Sequence, residues 1–352
     1  MIDWTSPMEQ SYEFYKVDPV SWADMTLLNN IETASINRDL SDSTLCSATI
    51  DTTELMDECY IRIYLVAIQN GVTERVSLGT FLAQTPSIKF DGKNRKLSMD
   101  GYSPLIELKG NMPPLGYSLL EGDVIMTVVN ALCRDNMRAP VINSLDESTL
   151  SSDFVSNIND TWLTFVSDLA YKAKFLLSVD GYGRLSFTPE KDTASLQPVW
   201  TYDDGNSSIL YPDFSDERDL YGIPNVVEVI YSTDTTYIRS RVVNDDPNSP
   251  VSTVTRGREI VRRITDPSVS GVPDQSYIDM YAEQVLRNLS CLEHTVTYKH
   301  GYCPVKVGDC VLINYEDAGL TNVKAKVISQ TISCETGCPV EETATYTTKL
   351  WR

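Results

Sequence analysis

Two histidines and eight cysteines carry most of the nucleophilic and metal-ligating capacity of this 352-residue chain. His294 and His300 are a thin supply for acid–base chemistry, and neither Gly-x-Ser-x-Gly nor HExxH accompanies them. His294 falls within an alternating stretch and reads as a half-buried strand residue. Two residues separate His300 from Cys303 and three separate Cys334 from Cys338, so the spacings are H-x2-C and C-x3-C. His/Cys sets are the usual ligands of zinc. A turn near Asp317 to Gly319 would pair the strand after Cys303 with the strand before Cys334, a register that brings these four residues together. A metal, a disulfide or adjacent thiols would follow from that, and plain buried thiols are the ordinary alternative. No catalytic, cofactor-binding or metal residue is assigned.

Glycoside hydrolysis needs paired carboxylates, and 49 acidic residues supply many neighbours by chance. Asp203-Asp204 and Asp245-Asp246 read as turn and loop residues. Gly181-x-Gly183 lies between two strand-like runs and makes a turn, whereas a nucleotide fingerprint needs a strand followed by a helix. A non-enzymatic protein is expected, with no cofactor. The net charge of −20 argues against a surface that grips nucleic acid, because phosphate binding needs clustered Lys and Arg. The absence of a long apolar run and of an export signal points to a soluble protein made in the cytoplasm, with free thiols and no membrane contact.

The elements that would hold these residues are mostly strands. After a leader over 1–24, residues 31–102 read as an all-β region with two hairpins. The first turns at Asn70-Gly71, the strongest short-range signal for a tight turn, and the second at Asp91-Gly92-Lys93-Asn94. Strands at 31–37 and 45–50 bring the number to about six, enough to close a small barrel or sandwich. Met112-Pro113-Pro114 marks a boundary. A helix over 123–136 follows, with Asp123 as N-cap. Trp162, Phe165, Val166, Leu169, Ala170 and Ala173 form a second helical stripe that runs into a hairpin turning at Asp180-Gly181-Tyr182-Gly183. Strands at 226–231 and 237–243 precede a polar segment, 244–275, read as a loop or insertion. A third helix opens with Ser276 and Asp279 in capping-box spacing. Strands at 293–298, 310–315, 323–333 and 343–350 close the chain.

Three stretches in order, KLSMDGYSPLIELKG at 96–110, KFLLSVDGYGRLSF at 174–187 and PVKVGDCVLINY at 304–315, resemble the hub proteins at the end of phage tails and of phage-tail-like contractile particles. The resemblance spans roughly residues 25–350. It implies a mainly β protein with α+β content: two tube-like β-barrel domains, 25–110 and 201–352, flanking a small helix-plus-hairpin domain at 111–200. The last domain would carry an insertion at about 244–292. It further implies a homotrimer whose ring adapts a sixfold tail tube to a threefold spike or tail tip, with the tail tube protein, a spike or tail-tip protein and the tape-measure protein as partners. The chain would be a virion tail component assembled in the bacterial cytoplasm, with no room after Arg352 for the peptidase or lysozyme-like region of some relatives. Its acidity would let DNA phosphates slide through a ring without binding. A tail-associated cell-wall hydrolase and a Tyr-rich carbohydrate-binding adhesin are the alternatives.

Overall fold

A computed structural model of the chain describes residues 2–90, 92–93, 95–191, 193–233, 235–265, 267 and 273–351. The chain forms two compact units, Met1–Phe214 with Thr297–Ala344, and Ser215–Val296 with Thr345–Arg352. It is mainly β with large antiparallel sheets, and no closed barrel is found among the described residues. No helix among them is long and apolar enough to cross a membrane.

In the first unit, the strand Cys59–Gln69 turns through Asn70 and Gly71, both at positive φ, into Val72–Phe90. The two pair from Cys59 opposite Ala83 to Gln69 opposite Val72. This is the tight hairpin that Asn-Gly announces. The second hairpin joins Val72–Phe90 to Arg95–Tyr102, and the turn residues Asp91 and Asn94 lie outside the described residues. The sheet continues through Cys46–Thr52 and Ile31–Asp39 to Leu320–Ser333. The leader read over 1–24 is instead part of this sheet: Glu9–Val17 pairs with the whole of residues 60–68 of Cys59–Gln69, and Asp24–Leu27 pairs back on it. Its period of two is masked in sequence because only Phe14 and Val17 of Glu9–Val17 are buried.

The helices Ile125–Asn136 and Trp162–Lys172 bury their apolar stripes in one core. Tyr60 and Leu82 from the first sheet, and Trp22 from the turn before Asp24–Leu27, enter that same core. Thr161 caps the second helix in a reciprocal capping box with Thr164. The first helix is capped by Val124 without a side-chain bond, because the Asp123 carboxylate is taken by the Leu120 N–H at 3.0 Å.

The hairpin Phe175–Val179 and Leu185–Pro189 carries the Asp180-Gly181-Tyr182-Gly183 turn. Asp180 accepts from the Arg184 N–H at 2.9 Å and from Nε of the same guanidinium at 2.7 Å. Ser77 and Thr80 hydroxyls of the first sheet donate to the Gly181 carbonyl at 2.6 and 3.1 Å. The fit leaves no room for a side chain: a Cβ on Gly181 would lie 2.2 Å from the Ser77 carbonyl oxygen.

In the second unit the three-stranded sheet runs Tyr237–Val243, Val226–Ser232, Val261–Thr265, the last pair parallel. The segment read as a loop over 244–275 therefore contains a strand, and also a short helix, Thr253–Arg256; residues 266 and 268–272 lie outside the described residues. Its charged sequence, Val-Arg-Arg-Ile-Thr, hides the strand. The helix Gln275–Leu289 packs Ile278, Ala282 and Leu286 on Val227 and Val229. Its cap is Asp274, whose side chain accepts from the Tyr277 N–H at 2.8 Å, two residues before the Ser276 expected to open it; Asp279 bonds Gln275 instead, at 2.9 Å.

Gly181→Ala is expected to lower unfolding stability by about 1–3 kcal/mol, since the clash is with backbone that must shift. The midpoint of chemical denaturation checks this, and an unchanged midpoint would refute the docking of the turn on the sheet.

Candidate functional site

The four His and Cys residues separate into two places in the first unit. The hairpin expected to unite them does form, with Cys310 opposite Lys326 and Ile313 opposite Val323. It stops near Gly308, whose N–H donates to the Val327 carbonyl. From Ser329 to Ser333 the same edge of Leu320–Ser333 is taken by Ile31–Asp39. Cys303 therefore never lies across from Cys334. Among the described residues no three His, Cys, Asp or Glu side chains form a cation site, and all eight cysteines are free thiols.

Cys334 and Cys338 bracket a tight turn held by Tyr12, whose hydroxyl donates to the Glu335 carbonyl at 2.7 Å, and by the Thr33 hydroxyl on the Cys334 carbonyl at 2.9 Å. Burial pushes both thiols up, Cys338 to about 11. They are protonated core residues at neutral pH.

His300, at an inward position of the strand Cys291–Gly301, and Cys303, just past its end, belong to a buried polar centre. The Tyr202 hydroxyl lies 3.1 Å from His300 Nε2 and 3.3 Å from Cys303 Sγ. Glu342 is fully buried, accepts from the Tyr298 hydroxyl at 2.5 Å and the Gln330 amide at 2.6 Å, and stands 3.6 Å from His300 Nε2. Gln330 in turn accepts from Arg38 at 3.1 Å, and a second Arg38 nitrogen donates to the Leu78 carbonyl at 2.6 Å. Burial alone would depress the His300 imidazole, but its bonds to Cys303 and Glu342 outweigh that and raise it to about 10. Burial and the Glu342 charge hold both Tyr202 and Tyr298 well above the usual phenol range. The centre is a neutralised, hydrogen-bonded tie between strands, and its groups are engaged with one another.

Arg38 also reaches the wall of a cavity of about 730 Å³ in this unit, lined with Trp4, Leu78, Trp200, Tyr302 and Lys306. Trp4 meets Tyr302 edge-on at 5.0 Å, and the Ile2 N–H donates to Glu74 at 3.1 Å. Among the described residues the Trp200 indole N–H has no partner. A wall of aromatic rings with a few donors suits an apolar group carrying an acceptor.

The second unit holds two more polar ties. Glu228 takes Arg263 and Arg239 at 3.0 Å and Arg241 at 3.4 Å. The bonds from Arg263 and Arg239 hold its carboxyl below the usual range. His294 is buried, with Nδ1 at 3.0 Å from Asp216 and Nε2 at 3.3 Å from the Thr348 hydroxyl, its ring stacked on Tyr346. Both ring nitrogens are engaged, so this imidazole ties neighbouring strands.

One member of each acidic pair makes a local turn bond, and Asp204 reaches a distant segment. Asp203 accepts from the Gly205 N–H at 3.0 Å, Asp204 from the Glu316 N–H at 3.0 Å and Asp246 from the Asn248 N–H at 2.8 Å. Asp245 makes no turn bond of this kind among those described. The residues that sequence reading passed over are Glu342, Glu228 and Arg62. Arg62 and Glu228 were visible as charges within apolar strands, in Tyr-Ile-Arg-Ile-Tyr-Leu and Val-Val-Glu-Val-Ile, whereas Pro-Val-Glu-Glu-Thr-Ala around Glu342 gives no such signal.

No protein-family model and no curated protein matches the sequence. Solved structures do share its fold. A tail protein from Neisseria meningitidis MC58 superposes with a TM-score of 0.64 at 13% identity, covering 97% of this chain and 98% of that one. The 43 kDa tail protein of prophage MuSo2 from Shewanella oneidensis gives 0.64 at 13% identity, over 96% of this chain and 98% of that one. Prophage tail protein gp18 from Listeria monocytogenes EGD-e gives 0.50 at 10% identity, over 95% and 94%. Over nearly its whole length, then, this chain has the fold of phage tail proteins.

The polar centre makes stability depend on pH. His300 is raised in the folded state from 6.5 to about 10. Its contribution is fully present below the unfolded value and is lost as pH rises through the folded one. The thermal midpoint of the wild type is expected to fall between pH 7 and 10, and His300→Gln to start lower and give a flatter profile. Parallel profiles for the two proteins would show that His300 is not charged in the fold.

Proposed function

We propose that this chain is a structural component of a phage tail or phage-tail-like injection particle and, within it, the hub. In this reading it is a homotrimeric ring that adapts a sixfold tail tube to a threefold spike or tail tip. The observation that carries the reading is the end-to-end fold likeness to the Neisseria meningitidis tail protein, which covers 97% of this chain and 98% of the other. A shared domain at one end would support much less, because fold fragments recur among unrelated functions.

Two tube-like barrel domains, the first joined by the strands Glu9–Val17 and Asp24–Leu27, supply the ring wall, and the helix-plus-hairpin domain at 111–200 braces it. The tail tube protein sits on one side, the spike or tail-tip protein on the other, and the tape-measure protein ends in or near the lumen. The net charge of −20 supports a wall along which phosphates pass without binding. The work of such a protein is done at its interfaces. Its polar centres serve that work by holding strands in register, and Asp203 and Asp246 by shaping turns.

Light scattering on the purified chain, alone and mixed with the spike protein of the same particle, tests the reading. A mass three times that of the chain is expected in at least one case. A strict monomer in both, or lysis zones on a peptidoglycan gel, would overturn it, the latter in favour of a cell-wall hydrolase.

A further inference from the structure

The three-stranded sheet of the second unit is covered by its helix on one face only. Val227, Val229, Ile238, Val242 and Ile264 pack with Gln275–Leu289. Alternation along the strands puts Glu228, Tyr237, Arg239, Arg241, Val261 and Arg263 on the opposite face. That face is open to solvent. Tyr237 is 67% exposed, and the side chains of Arg263 and Arg239 are 61% and 53% exposed.

The register shows how three like charges come to share it. Arg241 and Arg263 stand opposite Glu228 on the strands to either side, and Arg239 stands one row along, opposite Ile230. Like charges on neighbouring sheet positions repel, and Glu228 is what gathers them: Arg239 and Arg263 donate to it at 3.0 Å, and Arg241 approaches at 3.4 Å. Glu259 takes another nitrogen of Arg241 at 2.7 Å. Two carboxylates thus meet three guanidiniums, and one positive charge is left over on this face of a chain whose formal charge is −20. Among the described residues, Nη1 of each of the three arginines makes no hydrogen bond.

The cations of residues 237–265 are all arginine, with no lysine among them. Arginine presents a planar fork of donors that matches the two oxygens of a carboxylate. A guanidinium already fixed by Glu228 loses little freedom when it takes a second partner. Arg and Tyr are also the side chains that most often dominate protein–protein contacts. Tyr237 lies at one end of the patch, and Val261, also exposed, at the other end on the far edge strand. A nucleic acid would bring phosphates to the same forks, but duplex DNA carries one charge per about 1.7 Å of its length and would meet the chain's own acidity all along it. A short acidic segment brings only a few carboxylates.

We propose that this arginine face docks an acidic segment of another protein, whose carboxylates take the free donors of Arg239, Arg241 and Arg263 while an apolar residue of the segment rests on Tyr237. Glu228 is the positioning residue: it holds the guanidiniums together and leaves their outer edges open. The inference rests on the tail reading only for where such a partner is found, in the same particle.

The test is fluorescence anisotropy of a labelled polyglutamate peptide titrated with the full chain at low salt. Binding is expected, and it should weaken as salt is raised and the exposed charges are screened. Arg239→Gln with Arg263→Gln should weaken it at least about tenfold, since hydrogen bonds between charged groups are the strong ones. Lys109→Gln with Lys299→Gln removes as much charge elsewhere and should leave it within about twofold of wild type, because distant exposed charges are screened. Circular dichroism shows that each variant is folded. An arginine double variant that fails this is replaced by Arg239→Lys with Arg263→Lys, which keep Glu228 paired but lose the fork and should bind at least about threefold more weakly. A wild type that ignores polyglutamate, binding that survives the arginine changes, or an equal loss with the lysine pair would overturn the docking. Duplex DNA that binds more tightly than polyglutamate, and is lost with the same arginines, would overturn it in favour of nucleic acid. None of these results touches the ring reading, which the mass of the particle's components decides.

Discussion

The first unit is organised around one buried guanidinium. Arg62 lies in the middle of the most buried strand, at 4% exposure, and has four partners around it. Its nitrogens reach the Thr80 hydroxyl at 2.9 Å, Asp24 at 2.7 Å, the Trp22 carbonyl at 3.3 Å and the Tyr182 carbonyl at 3.2 Å. A buried charge left without partners costs several kcal/mol, so the chain has one arrangement in which all of these meet. The consequences spread outward. Asp24 fixes the edge strand, the Trp22 indole donates to the Tyr182 carbonyl at 2.7 Å, and the Asp180-Gly181-Tyr182-Gly183 turn is pressed onto the first sheet. Trp22 then stacks edge-on against Tyr60 at 4.8 Å and carries the contact into the helical core.

The same device recurs twice. Glu342 gathers Tyr298, Gln330 and His300 in the first unit, and Glu228 gathers three arginines in the second. Arg62 and Glu342 sit at buried strand positions, whereas Glu228 lies on the sheet face opposite Val227 and Val229, held there by arginines that are themselves partly exposed. A slip of one residue would move each charge to the other face and part it from its partners, so register is specified more sharply than apolar residues alone would specify it. For a protein whose work lies in presenting surfaces to other chains, a fixed register decides what those surfaces display.

Much of the architecture was legible. Asn70-Gly71 turned as written because its two residues accept positive φ; the stripe from Trp162 to Ala170 formed a helix with its cap at Thr161; and Cys310–Tyr315 paired across the Asp317-to-Gly319 turn. These are local features, set by backbone sterics and side-chain period. Less legible were elements whose neighbours conceal their period. Glu9–Val17 reads as leader because one face is wet over most of its length, and Val261–Thr265 reads as loop because its charges face solvent.

The sequence by itself determined the turns, the helices, most strands and the mainly β character, since each depends on residues near one another in the chain. Only the tertiary structure decided that His300 and Cys303 join Tyr202 and Glu342 while Cys334 and Cys338 turn under Tyr12. That outcome depends on which strand takes the second half of Leu320–Ser333, and Ile31–Asp39, nearly three hundred residues away in the chain, takes it. Pairing between distant strands is a competition among many partners with similar local patterns, and it is resolved by buried polar groups that must all be satisfied at once. Those groups come together only when the whole unit has folded.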